Sequence, residues 1–297
     1  MSVWAWIRAA RPLAHANIAP PLLLGQALAV AEGAPLDWIF FALALGFGAL
    51  DHLVIVFTND VADEDADAKN DAPTLFSGGS RVLQEGLLEP RQLTRGAIAA
   101  AAGLVALSGA GVWLGRPLLP LFAVAALGLL AAYSLPPSRL SYRGQGELLQ
   151  GLGVGLVLPL LGFYLQAGSV EEAPWALFAP LVLLGFASNI LTALPDVEAD
   201  RAAGKRSWPV RRGELKARRD AIVLLLVGIV LAKQLAPPLP AWWLVAPLAS
   251  IALALVVLRD GSRRGRVRFV ALAAGSAIVL QLGLGAALFV RELRLGA

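Results

Sequence analysis

A chain of 297 residues that is 58% hydrophobic and 15% charged, with mean hydropathy +0.69, is too apolar for a soluble domain of its size. It contains no cysteine, which excludes disulfide and thiolate chemistry. The net charge of +4 and pI near 9.8 do not point to nucleic acid, because the basic residues sit in short loops between apolar runs, where membrane topology signals lie.

The apolar runs have the length that spans a bilayer core, and no series of alternating ten-residue segments suggests a barrel. Nine spans are expected, at roughly Leu13–Ala31, Leu36–Thr58, Leu93–Leu114, Pro117–Leu135, Glu147–Gln166, Pro174–Leu194, Asp220–Ala236, Pro240–Leu258 and Arg268–Val290. Arg8, Arg11 and an apolar run ending in Ala29-Val30-Ala31 loosely mimic a cleavable signal peptide. A retained first helix is preferred, because its removal spoils the charge asymmetry of the loops. With nine spans, all 25 lysines and arginines except Arg116, Lys233, Arg291 and Arg294 fall on one side, which the positive-inside rule makes cytoplasmic. The expected protein is an all-α, multi-pass protein of the inner (cytoplasmic) membrane, with the N-terminus cytoplasmic.

Two acidic loops then share the cytoplasmic face. The first follows span two and begins Asn59-Asp60-Val61-Ala62-Asp63-Glu64-Asp65-Ala66-Asp67. On a continuous helix Asp60, Asp63 and Asp67 would share a face, and such carboxylates repel unless a cation lies between them. Magnesium reaches carboxylates of this kind together with substrate phosphates. The second loop follows span six and carries Asp196 and Asp200 at i, i+4. Each motif follows an apolar span, so residues 36–167 and 174–290 read as two four-helix pseudo-repeats of one 1–297 domain, around a central cavity with both acidic loops at its mouth. Across that interface magnesium would supply the positive charge a diphosphate requires.

Cationic groups stand close in sequence to both motifs: Lys69 and Arg81, Lys205 and Arg206, and Arg139 and Arg143 in the loop after span four. Each also reads as a topology signal. Asp51 and His52 are ionisable residues inside span two, placed to enter a cavity beneath the acidic loop or to pair in helix packing. Asn189 and Thr192 hold the parallel place in span six, while Tyr133 and Ser134 end span four.

Asn59-Asp60-x-x-Asp63-x-x-x-Asp67, Tyr133-Ser134 with Arg139, and Asp196-x-x-x-Asp200-x-x-x-Gly204-Lys205-Arg206 together resemble the UbiA superfamily of intramembrane prenyltransferases, over nearly the whole chain. The resemblance implies magnesium-dependent transfer of an isoprenoid from a polyprenyl diphosphate to an aromatic acceptor within the membrane lipids, with no nucleic-acid partner. It implies that Asp60, Asp63, Asp67, Asp196 and Asp200 hold metal and that Asn59 assists. Lys69, Arg81, Tyr133, Ser134, Arg139, Asn189 and Lys205 are then candidates for binding substrate. Asp60, Asp63, Asp51 and His52 are candidates for the chemical step, Asp51 or His52 as base. The stretch TLFSGGSRVLQEGLLEPRQL and His52 resemble the branch containing 1,4-dihydroxy-2-naphthoate prenyltransferases of menaquinone synthesis. Leu191-Thr192-Ala193-Leu194-Pro195 departs from the Asn-Glu pair expected before Asp196, which leaves 4-hydroxybenzoate, homogentisate or a lipid as other acceptors. A CDP-alcohol phosphotransferase lacks its Asp-Gly…Ala-Arg…Gly pattern here. A transporter would place its carboxylates deeper in the spans. A member that binds lipid without catalysis is the remaining alternative.

Overall fold

The computed structural model describes residues 2–71, 73–74 and 76–295. Leu75 of the TLFSGGSR stretch and the extreme residues of the expected 1–297 domain lie outside the described residues. The described residues are helical, with one isolated bridge between Thr74 and Ser77. A short helix α1 (Val3–Ala9) and a 3-10 turn (Pro12–Asn17) precede α2 (Ala19–Ala31), and the two parts meet at a bend of 42°. The expected first span is therefore a broken one. Pro20 and Pro21 start α2, at positions where a missing N–H costs nothing.

The long helix α3 (Trp38–Ala62) starts at Asp37, whose carboxylate accepts from the Ile39 N–H at 2.7 Å. It leads into the short α4 (Glu64–Ala68). Helix α5 (Pro90–Trp113) opens with a capping box between Glu89 and Gln92 and with Pro90 at its first turn. Helix α6 (Leu119–Ser134) and a hairpin-like loop follow. Then α7 (Gly146–Leu152), a π-helical turn (Gly153–Val157) and α8 (Leu158–Ala167) run as one rod. Helix α9 (Trp175–Ala193) passes through a 3-10 turn (Leu194–Asp196) into α10 (Val197–Ala202). The chain closes with α11 (Trp208–Arg212), α12 (Glu214–Leu235), a 3-10 turn (Ala241–Leu244) leading into α13 (Val245–Val256), and α14 (Arg263–Leu295).

By length and composition, five of the described helical segments suffice to cross a membrane: Trp38–Ala62, Pro90–Trp113, Gly146–Ala167, Trp175–Ala202 and Arg263–Glu292. The bent pair at the N-terminus makes a sixth if counted as one. The difference from nine has a physical source. Helices α6 and α13 have 16 and 12 residues, short of the roughly 20 that cross a bilayer core. Helix α12 carries Glu214, Lys216, Arg218, Arg219 and Asp220 in its first two turns. Large apolar side chains face outward all the same, Trp113 at 93% exposure and Val256 at 82% among them, as a hydrocarbon surrounding requires.

Close approach of backbones assembles the bundle. A Cβ on Gly25 of α2 would overlap the Pro159 carbonyl of α8, and one on Gly162 of α8 would overlap the Leu22 carbonyl of α2. Gly155 meets the Leu181–Val182 backbone of α9 in the same way. Small residues at such contacts replace the hydrophobic driving force that lipid does not supply. The buried side chains form one cluster around α9, α12 and α14, with Phe178, Trp243 and Phe269, and another where α2, α3, α6 and α8 meet, with Phe47 and Tyr164. Between them an internal cavity remains.

These contacts set the sign of two glycine substitutions. In an open helical position, as at Gly109 with nothing within 4 Å, alanine should raise stability by about 0.5–1 kcal/mol through helix propensity. At Gly25 the same change should lower it by about 1–3 kcal/mol, because α2 must move off α8. Thermal unfolding in detergent of the two alanine variants beside the parent checks the difference.

Candidate active site

The cavity has a volume of about 320 Å³ and opens among the ends of α3, α4 and α10. Its mouth is built from both acidic segments. Helix α3 stops at Ala62, and Asp63 takes a non-helical conformation (φ −103°, ψ 11°) before α4 begins. The three carboxylates expected on one continuous face are thus split over a break. Asp63 and Asp67 reach the cavity wall from its two sides. Asp60, on the last turn of α3, is 3% exposed and lies outside that wall, paired with the Arg11 guanidinium and the Ser80 hydroxyl. Asp196 ends the 3-10 turn after α9 and Asp200 sits within α10; both line the cavity.

Lys205 ties the two segments together. Its Nζ lies 3.2 Å from Asp63 Oδ2 and 3.8 Å from Asp200 Oδ1. Tyr142 donates its hydroxyl to Asp63 Oδ1 at 2.9 Å, and its ring lies under the Arg139 guanidinium at 3.9 Å. Asn70 donates to Asp196 Oδ1 at 2.7 Å, and Ser207 to Asp200 Oδ2 at 2.7 Å. Burial pushes the Asp67 carboxyl up to about 7; Arg11 opposes this, and the neighbouring Asp63 and Asp60 add to it. Burial alone would lower the Lys205 ammonium, but Asp63, Tyr133 and Asp200 outweigh it and hold it well above its ordinary value. The mouth is thus a network in which Lys205 and Arg11 face carboxylates of both segments.

The donor set fits a shared metal–diphosphate site. Among the described residues no three carboxylates or imidazoles converge to hold an ion by themselves. Hard oxygen donors spread around one cavity suit magnesium, which binds through one or two carboxylates and completes its shell with phosphate oxygens and water. The cavity's polar mouth passes into an apolar interior of Ile18, Ile55, Leu129, Leu130, Val157 and Leu158.

The other expected site residues divide into two groups. Asn59, Tyr133, Asn189, Asp51 and His52 line the cavity. Asn59 Oδ1 accepts from Ser134 Oγ at 2.6 Å, and Asn189 donates to Gln150 Oε1 beside Tyr133. Lys69, Arg81 and Arg139 lie outside the wall and brace its framework instead. Lys69 donates to the Ala202 carbonyl at 3.3 Å, Arg81 to that of Asp67 at 2.6 Å, and Arg139 to that of Ala62 at 2.7 Å. These carbonyls belong to the last turns of α10, α4 and α3, where helical hydrogen bonding leaves acceptors unpaired.

Deeper in the cavity, Asp51 is 3% exposed and its Oδ1 has no hydrogen-bond partner. His52 Nε2 lies 2.7 Å from the Ala10 carbonyl, which can only accept, so that nitrogen carries the proton. His15 and His52, far apart in sequence, have ring centroids 5.1 Å apart.

Two contributors escaped the sequence reading. Arg11 looked like a topology charge, but it takes a left-handed conformation (φ 43°) just before Pro12 and lines the cavity. Its neighbour Pro12 was the available signal, since a proline restricts the residue before it. Gln150 was hidden in an ordinary apolar span. Gly79, in the loop between α4 and α5, is required twice over: its φ is 67°, and a Cβ there would overlap the Asp67 carboxylate.

Comparison with known proteins identifies the family. The family model described as "UbiA prenyltransferase family" matches residues 18–274. A lycopene elongase/hydratase of Corynebacterium glutamicum is 31% identical over 238 residues, 78% of this chain and 77% of the relative. A 1,4-dihydroxy-2-naphthoate octaprenyltransferase of Escherichia coli is 28% identical over 242 residues, 76% and 74% of the two chains. Among solved structures, a UbiA homologue from Archaeoglobus fulgidus bound to GPP and Mg2+ superposes with a TM-score of 0.63 at 20% identity, covering 96% of this chain and 99% of that one. The chain is a multi-pass membrane protein and an enzyme, and it belongs to the UbiA prenyltransferase family.

Proposed function

We propose that this prenyltransferase moves an isoprenoid chain from a polyprenyl diphosphate to an aromatic acceptor, 1,4-dihydroxy-2-naphthoate or a related quinone precursor, in a magnesium-dependent reaction. The observation that carries the reading is the single cavity in which carboxylates of two separate segments and two cations frame an apolar interior. The naphthoate prenyltransferase relatives support the acceptor, and menaquinone synthesis is the pathway this reading proposes.

In this reading Asp63, Asp67, Asp196 and Asp200 hold magnesium at the mouth, with Asp60 behind them and Asn59 beside them. Bound there, magnesium would neutralise the diphosphate and make it a better leaving group. Lys205 and Arg11 offer charge-assisted hydrogen bonds to phosphate oxygens. Lys69, Arg81 and Arg139 keep the motif helices in place, and Ser134 fixes the Asn59 amide. As the bond from C1 of the isoprenoid to the diphosphate oxygen breaks, the apolar interior keeps water from the allylic cation. Tyr133 offers a π-face to the same charge. A carbon of the acceptor bonds to C1 and gives up its proton to Asp51, whose unpaired oxygen is the free base in the wall. His52, with Nε2 spent on Ala10, positions the segment that carries Arg11. Asn189 and Gln150 are placed to orient acceptor oxygens. The reading also carries the nine-span topology as one domain of two pseudo-repeats in the inner membrane, with the N-terminus and the active site cytoplasmic.

A second reading, a polyene hydrocarbon acceptor, is favoured by the 31% identity to the lycopene elongase/hydratase. Purified protein given magnesium, a labelled polyprenyl diphosphate and naphthoate, hydroxybenzoate, homogentisate or lycopene separates the two. Labelled product with an aromatic acceptor supports the first reading; product with lycopene alone replaces it. Product with none of the four removes both.

Four variants test the roles. Asp63→Asn and Asp196→Asn should each lower kcat on the order of a hundredfold or more, and EDTA should abolish turnover of the parent. Arg11→Ala should raise KM for the diphosphate roughly 10–100-fold, the worth of a charge-assisted hydrogen bond. Asp51→Asn should lower kcat about 10²–10⁴-fold while diphosphate binding, measured by calorimetry, stays unchanged. Weakened diphosphate binding in that variant would remove Asp51 from the proton-accepting role.

A further inference from the structure

A second concavity lies at the other end of the bundle. It is a groove of about 340 Å³ between α2, the start of α3 and α14, with Leu23, Ala27, Trp38, Phe41 and Phe289 in its walls. It shares no lining residue with the cavity of the candidate active site. Trp38 begins the 25-residue helix that ends beside Asp60, so the groove's rim lies roughly 30 Å away at 1.5 Å per residue. Trp38 is 68% exposed and makes an edge contact with Phe41 (centroids 5.4 Å apart), so the groove opens toward the surrounding lipid over an aromatic lip.

Two polar side chains interrupt the apolar wall, Gln26 on α2 and Gln281 on α14, at 3% and 8% exposure. The direction of the Gln26 amide follows from its neighbours. The Asp37 N–H donates to Gln166 Oε1 at 2.9 Å, so Gln166 Nε2 is the donor that reaches Gln26 Oε1 at 2.8 Å. Gln26 Nε2 is therefore left as a donor, and it has no partner. Gln281 Oε1 is likewise buried without one. An unmet donor and an unmet acceptor in one apolar groove are costly, and lipid chains offer neither group anything.

We propose that this groove binds a neutral, lipid-dissolved alcohol whose hydroxyl accepts from Gln26 Nε2 and donates to Gln281 Oε1. A hydroxyl is the smallest group that satisfies both. Among the described residues no charged side chain lines the groove, so a phosphate or carboxylate headgroup would be desolvated there without a counterion. The apolar tail lies along Leu23, Ala27 and Phe289, with Trp38 and Phe41 at the rim. The proposal is independent of which acceptor the active site takes.

The test is photolabelling of the full chain in phosphatidylcholine nanodiscs with a diazirine-bearing farnesol, read by peptide mass spectrometry. Labels are expected on peptides carrying Trp38–Phe41 or Leu282–Phe289. Excess farnesol should reduce them at least tenfold; squalene, which lacks the hydroxyl, should not. The double change Gln26→Leu and Gln281→Leu should give the same loss. Gly285→Leu should as well, because it fills the groove with both amides kept; a Cβ at Gly285 meets only ordinary contacts at 3.6 Å and beyond. Competition by squalene equal to that by farnesol, or undiminished labelling in either variant, would overturn the proposal. A double variant that unfolds at lower temperature yet labels like the parent would show that the amides pair with each other across the helices, and would overturn it too. Should the double variant not fold, Gly285→Leu decides alone.

Discussion

Crowded carboxylates at the end of an apolar bundle are the constraint on which this molecule's architecture turns. Asp60, Asp63, Asp67, Asp196 and Asp200 come from two distant segments, and their mutual repulsion would drive those segments apart. Lys205, between Asp63 and Asp200, and Arg11, on Asp60, hold them in place. Both cations are themselves largely buried, so each needs its carboxylates as much as they need it. This end of the bundle is built to tolerate this exchange. Backbone carbonyls at the last turns of α3, α4 and α10 receive Arg139, Arg81 and Lys69, which stiffen the frame without entering the cavity.

That division of labour explains why so many basic residues surround one site. Those on carbonyls fix geometry, and those on carboxylates leave charge that a substrate can rearrange. A diphosphate with magnesium brings both signs at once, so it can enter such a mouth without reversing its balance. Gly79 shows how tightly the space is drawn, since its missing side chain is what lets the strap from Ser77 to Ser80 lie against Asp67.

Beneath the mouth the physics changes from charge to exclusion. Glycines at 25, 155 and 162 bring helix backbones into contact, and Asp51 is buried beneath the mouth. Where polar side chains are buried in the bundle many are tied in pairs, as Asn189 is to Gln150 near the cavity and Gln166 to Gln26 at the other end. The unpaired atoms are therefore informative, because in an apolar surrounding nothing else meets their hydrogen-bonding demand.

The sequence alone determined the helical class, the membrane setting and the two acidic segments, because hydrophobic run length and clusters of like charge are local properties. The two aspartate motifs, taken with Asn59, Tyr133-Ser134, Arg139 and Gly204-Lys205-Arg206, resembled a family, and that resemblance implied metal–diphosphate chemistry. Only the tertiary structure decided which charges face the cavity. Arg11, Lys69, Arg81 and Arg139 look alike in a loop, yet one lines the cavity and three cap helix ends, according to backbone directions that depend on distant packing. The break at Asp63 was hidden too, because it does not interrupt the local pattern of polarity that a sequence displays. Pairings such as His15 with His52 and Gln166 with Gln26 join segments far apart in the chain, and their meeting is fixed by how helices cross rather than by what any one helix contains.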